Sequence, residues 1–121
     1  MRFGFGLPHA GEAANGPDII RIAQRAEALG FASVWSGDHI VLPVGGTTQY
    51  PYTTDLGLTG AVLSRSNAAV VGTTQEVIDD IRRCQDIGIQ QLTFDFRSGQ
   101  VDDMLKIIEH FAAAVMPAVC D

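Results

Sequence analysis

Positive charge is scarce in this sequence and nowhere concentrated. Eight Lys and Arg stand against fourteen Asp and Glu, a formal net charge of −6 at pH 7, and only Arg82 and Arg83 are adjacent. Nucleic acid is held by displacing counterions from its phosphates, which takes a basic patch. A nucleic-acid partner is therefore excluded. Long apolar runs are lacking too: none approaches the roughly 18 residues that a bilayer span requires, so no membrane role is expected. The opening "MRFGFGLPHAGE" has one Arg, no extended apolar stretch and no small-residue cleavage site, and does not read as a signal peptide. Cysteine is reduced to two, Cys84 inside a helical pattern and Cys120 near the tail, with no metal or redox spacing. Reduced thiols in a cytoplasmic protein without a metal site are the expectation.

What is present is an ordinary soluble composition in a 121-residue chain, enough for one domain with a modest core. Residues 2–7, "RFGFGL", alternate Phe3, Phe5 and Leu7 with Gly4 and Gly6, the period of a strand. After the turn-rich "PHAGEAANG", Pro17 opens a helix over 18–29 on the 3-4 spacing of Ile19, Ile22, Ala23, Ala26 and Leu29, closed by Gly30. A second strand follows at 32–36. The same order returns later. Thr73 to Glu76 form a capping box, and Val77, Ile81, Cys84 and Ile87 make a helical face over 75–87. Gly88 caps it, and "IQQLTFDF" reads as a strand near 90–95. Val101, Leu105, Ile108, Ala112 and Val115 predict a final helix over 101–115, closed before Pro117. "RAEALGFASVW" (25–35) and "RCQDIGIQQLT" (83–93) align without gaps as helix–Gly–strand units, as in an α/β fold with parallel strands. Between them, 44–65 is rich in Pro, Gly and Thr, and 67–71 offers a weaker fourth strand.

The chemistry-bearing candidates sit at strand tips. "ASVWSGDHIVLP" (32–43) runs from an apolar strand into Asp38-His39. Two readings stand: a general acid/base or cofactor hydrogen-bonder, and an Asp capping the loop beside a solvated His. His9, just past the first strand, shares that rim if the strands are parallel, because ligands in parallel α/β folds sit at the carboxyl ends. His110 reads as structural or exposed. The glycines of "GFGLPHAG" do not have dinucleotide spacing, and "VGTTQEV" lacks the Gly-Lys of a phosphate loop. Gly72-Thr73 is a helix entrance that either binds an anion or is simply capped. Trp35, the single tryptophan, reads as core rather than as a stacking platform.

"RFGFGLP", "AEALGFASVWSGDHIVLP" and "YPYTTD" together resemble the amino-terminal part of the luciferase-like monooxygenase superfamily, closest to its deazaflavin-dependent oxidoreductases. "VVGTTQEVIDDIRRCQDIGIQQLTFDF", followed by "HFAAAVMP", is similar to that family's carboxyl-terminal end. The likeness covers residues 1–55 and 68–119. Family members are (β/α) barrels, which take about 250 residues. The resemblance thus implies a single domain over 1–121 that lacks the central strands: a partial (β/α) barrel of about four mostly parallel strands and three helices. It implies catalytic His39 and Asp38, and a cofactor rim of His9, Asp38, His39, Tyr50 and Tyr52. The cofactor would be a deazaflavin coenzyme or FMN, if any, acting on a small-molecule substrate. Gly37 stands where relatives often have Ser.

A cofactor-free remnant serving as a small binding or oligomerisation module is the alternative. The expected strand order is 67–71, 90–95, 2–7, 32–36. An inner face lined by Phe3 or Phe5, Val34, and Leu92 or Phe94 would then lie bare, together with two strand edges. Both features predict a homo-oligomer.

Overall fold

Three strands pair in parallel in the computed structural model, which describes residues 1–9, 11–37, 72–96 and 100–120. All belong to one unit, Met1–Gly37 with Val70–Asp121. Strand β1, Arg2–Gly6, lies between β2, Ser33–Trp35, and β3, Gln91–Phe94. Gly4 pairs with Ser33 and Thr93, and Phe5 with Val34 and Phe94. The fold is α/β with a parallel sheet, and the strands at 90–95, 2–7 and 32–36 are neighbours as expected. The expected strand at 67–71 and the 44–65 connection lie outside the described residues.

Both helix–Gly–strand units are built by the same local chemistry. Helix α1, Gly16–Ala28, begins two residues earlier than its apolar spacing predicts, because Asn15 caps it: the Asp18 N–H donates to the Asn15 carboxamide at 3.0 Å. It ends as the N–H of Gly30 donates to Glu27 and that of Phe31 to Ala26, with Gly30 at φ +86°. Helix α2, Thr74–Asp86, repeats this with Gly88 donating to Gln85, Ile89 to Cys84, and φ +90° at Gly88. Each glycine supplies a left-handed conformation that a side chain would strain, and each strand starts three residues later.

The third helical run departs from expectation. Helix α3, Val101–His110, passes through a π-helical turn, Phe111–Val115, into α4, Met116–Val119, rather than stopping before Pro117. In the wide turn the Met116 N–H reaches back to the Phe111 carbonyl. Pro117 then falls in the first turn of α4, where its missing N–H leaves no gap in the ladder. Arg82 and Gln85 of α2 donate to the carbonyls of Ala118 and Val119, tying down the far end.

The core lies between the helices and one face of the sheet. Phe3 and Phe5 are buried there with Ile22 and Ala26 of α1, Ile78 and Ile81 of α2, and Met104 and Ile108 of α3. All six phenylalanines of the sequence join in one continuous ring cluster, Phe3, Phe5, Phe31, Phe94, Phe96 and Phe111. Ion pairs Arg21–Asp102 at 3.0 Å and Arg25–Glu109 at 2.8 Å bridge α1 and α3 on the outside.

This placement corrects two expectations. Residues paired across parallel strands point to the same side. Phe3, Phe5, Val34, Leu92 and Phe94 therefore share the helix-facing side, and they do not line an inner face. The opposite face carries Arg2, Gly4, Gly6, Ser33, Trp35, Gln91 and Thr93. Trp35 is not core: it is 56% exposed. The period of two groups the residues correctly, but aromatic bulk misled the choice of which group faces inward.

Candidate functional site

Parallel pairing gathers the carboxyl ends of β1, β2 and β3 at one edge. After β1 the chain runs through Leu7, whose N–H donates to the Trp35 carbonyl at 2.7 Å, to the half-buried His9. After β2 it reaches Gly37. The His9 imidazole packs directly on that glycine: a Cβ there would stand 3.4 Å from His9 Cε1. After β3, Asp95 lies beside Gly6, with its carboxyl carbon 3.7 Å from where a Gly6 Cβ would be. The edge thus brings His9, Gly37 and Asp95 around the glycine end of β1. His9 is at the tip of the strand next to the one that leads into Asp38. Asp38, His39, Tyr50 and Tyr52 lie outside the described residues.

Behind this edge, on the sheet face turned from the helices, a polar shelf is built across β1. The Trp35 indole N–H donates to the Ser33 hydroxyl at 2.9 Å, and the Gln91 amide donates to the same oxygen at 3.0 Å. Gly4 makes the shelf possible. A Cβ on it would come within 2.7 Å of both Ser33 Oγ and Thr93 Oγ1, and 3.1 Å from Trp35 Nε1. Sequence reasoning missed Ser33, Gln91, Thr93 and Asp95. The signal was the alternation of Gln91, Thr93 and Asp95 against Leu92, Phe94 and Phe96, a second face opposite the apolar one.

The other candidates resolve into structure. The entrance of α2 is closed by its own side chain: the Thr73 N–H and hydroxyl donate to Glu76 Oε2 at 2.7 and 2.8 Å. Those bonds, the backbone one first, hold the Glu76 carboxyl below its ordinary value of 4.5. The capping alternative, not anion binding, is what the geometry shows. His110 is exposed and its Nε2 lies 3.1 Å from the Thr74 hydroxyl, a tie between α3 and α2. A surface groove of about 400 Å³ between α1 and α3 is lined by Arg21, Gln24, Arg25, Leu105 and Glu109, and its charges are the ion pairs already described. Among the described residues no cluster of His, Cys, Asp and Glu could hold a metal ion, and no helix is long and apolar enough to cross a membrane.

The shelf and edge can be tested against a flavin-type coenzyme. The exposed Trp35 indole offers a planar ring a flat surface, with the hydroxyls of Ser33 and Thr93, the Gln91 amide and the charged Arg2 on the same sheet face. For a phosphate-bearing tail the described residues of the strand tips, 7–9, 36–37 and 95–96, include no Lys or Arg, and Arg97 follows them in the sequence. The described residues can meet a planar ring, and those of the strand tips add no cation for the tail. No protein-family model, no curated protein and no solved structure matches the chain.

Proposed function

We propose that this chain is a luciferase-like oxidoreductase that holds a flavin or deazaflavin coenzyme and a small-molecule substrate at the carboxyl edge of its sheet, in an open partial (β/α) barrel. The observation that supports this reading most is the packing of His9 on Gly37 at the parallel tips of β1 and β2. It sets one strand-end histidine beside the stem of Asp38-His39, the pair on which the resemblance rests. The coenzyme, when bound, supplies hydride transfer. The chain's own residues position it and manage protons. His39 gives or takes the proton that accompanies hydride movement, Asp38 orients the imidazole, and Tyr50 and Tyr52 contact the ring from the following loop. The test is a visible spectrum after incubation with FMN or a 5-deazaflavin and removal of free ligand. Retained colour supports the reading; a colourless protein with both ligands overturns it.

A second reading, a cofactor-free binding or oligomerisation module, has its own observation. Strand β2 is three residues long and exposes Val34 (43%) and Trp35 (56%) at the sheet's edge in the described residues. Edge strands with apolar side chains template association between copies. Sedimentation equilibrium checks it: a mass above the 12.9 kDa of one chain, together with no coenzyme retention, favours this reading.

A further inference from the structure

We infer that Asn15, the cap of α1, is a self-modifying site: its carboxamide is lost by spontaneous deamidation onto the Gly16 nitrogen, and the aspartate or isoaspartate left behind no longer seats the helix. This stands independently of the coenzyme reading.

Two neighbours in the sequence set up the reaction. Ring closure between an asparagine and the next residue's nitrogen is fastest when that residue is glycine, which has no side chain to hinder the approach. Asn15-Gly16 is the only such pair in the sequence; the other asparagine, Asn67, precedes an alanine. Both Asn15 and Gly16 are exposed, and nothing lies within 4 Å of where a Gly16 Cβ would stand. Gly16 is the first residue of α1, so its N–H has no carbonyl within the helix to bond. The Gly16 nitrogen attacks Asn15 Cγ, the Cγ–Nδ2 bond breaks, and ammonia leaves carrying the Gly16 proton. A cyclic imide remains. Water opens it at Cγ to give aspartate, or at the main-chain carbonyl to give isoaspartate.

The cap restrains this chemistry. Asn15 Nδ2 donates to the Glu12 carbonyl at 2.8 Å and to Asp18 Oδ2 at 2.6 Å, while Oδ1 accepts from the Asp18 N–H at 3.0 Å. The carboxamide is held at three points, and the Asn15 backbone is extended, with ψ 155°. Closing the ring requires the Gly16 nitrogen to rotate until it eclipses Cβ, which the capped helix does not permit. Conversion therefore proceeds through openings of the first turn of α1.

The product does not fit the place it is made in. Aspartate is ordinarily as good a cap as asparagine. Here the carboxamide is a donor as well as an acceptor. An oxygen in place of Nδ2 faces the Asp18 carboxylate and the Glu12 carbonyl with no proton to share, and Arg21, the first cation along α1, is paired with Asp102. Isoaspartate fails differently. The chain then passes through Cγ, which displaces the main-chain carbonyl that accepts from the Ile19 N–H at 3.0 Å. Either product loosens the first turn of α1 and the Glu12 tie in the connection that leads from His9. Loss of ammonia makes the change one-way.

Trypsin cuts after Arg2 and Arg21, and the peptide 3–21 holds Asn15 as its only carboxamide side chain. The full chain is incubated at neutral pH, folded or in urea, and that peptide is followed by mass spectrometry for exchange of –NH2 for –OH. Isoaspartate is counted by enzymatic methyl transfer to its free α-carboxylate. Expected are conversion in the folded chain, several-fold faster conversion in urea and in Asp18→Ala, and several-fold slower conversion in Gly16→Ala. Asn15→Asp is expected to melt below both the parent and Asn15→Ser, by a margin that narrows in high salt. A folded chain whose peptide stays unchanged, or a rate indifferent to Gly16→Ala, overturns the site. Asn15→Asp melting with the parent overturns the unseating of the helix.

Discussion

The ring of Phe111 meets that of Phe3 edge-on, with centroids 5.3 Å apart and planes at 82°. This contact joins the π-helical turn to the central strand, and Phe111 also touches Phe31, Phe94 and Phe96. Replacing it removes a shared neighbour of every layer in the core. Phe111→Ala is expected to destabilise the fold by about 3–5 kcal/mol, and Phe111→Leu by less, because most of the volume remains. Urea denaturation of both variants checks the order; equal loss from the two would contradict it.

Gly30 and Gly88 are expected to behave as a pair. Neither has any atom within 4 Å of where a Cβ would stand, so a methyl group meets no obstacle. The positive φ remains costly, and Gly30→Ala and Gly88→Ala should each lose about 1–2 kcal/mol through backbone strain alone. Asn at either site should recover part of the loss, since it tolerates this conformation better than Ala. Thermal melts of the four variants decide.

The Thr73–Glu76 cap gives the fold an acid-sensitive component with a definite sign. The folded state holds the Glu76 carboxyl below its ordinary value of 4.5, so the unfolded chain binds that proton more readily. The cap's contribution is therefore complete above the ordinary value and is lost as pH falls through the lower, folded one. The stability gap between the protein and Glu76→Ala should be constant near neutrality and shrink in acid. A gap that widens on acidification would reverse the assignment.

His39→Ala tests the coenzyme reading from the residue side. The resemblance makes His39 a cofactor contact rather than a packing residue, so melting temperature should stay nearly unchanged. Coenzyme retention or turnover should fall. A variant that retains FMN and a 5-deazaflavin as the parent does, with equal turnover, would make His39 a solvated loop residue.

Much of this architecture could be read from spacing alone. The helix–Gly–strand units were visible because Gly30 and Gly88 stand at equivalent points after apolar 3-4 patterns, and the two Schellman-type closures confirm why. The start of α1 was less legible: Asn15-Gly16-Pro17 has the composition of a turn, and only the Asn15 cap shows that the helix has begun. Pro117 misled because a proline stops an α ladder, whereas a preceding π turn puts it at a fresh helix start. At the candidate site, His9 followed from parallel topology. Trp35 did not, because alternation reveals which side chains share a face but not which face the helices will cover. Ser33, which accepts from its indole, and Gln91, which donates to the same hydroxyl, come from different strands and meet across Gly4.

The position of β1 at the centre of the sheet also sets an order of events. Its residues are translated before those of either partner, and Phe3 pairs with Leu92 and Gly4 with Ser33 on opposite sides. The β2 side can close once the first helix has emerged, but the β3 side has no partner until Gln91–Phe94 have been made, some ninety residues later. Until then a glycine-rich strand bearing two phenylalanines waits with one side unpaired, the kind of segment that chaperones retain and aggregates recruit. Slow closure of such distant pairs makes synthesis rate and chaperone supply, rather than the helices' own propensities, the factors expected to govern how much folded protein a cell obtains.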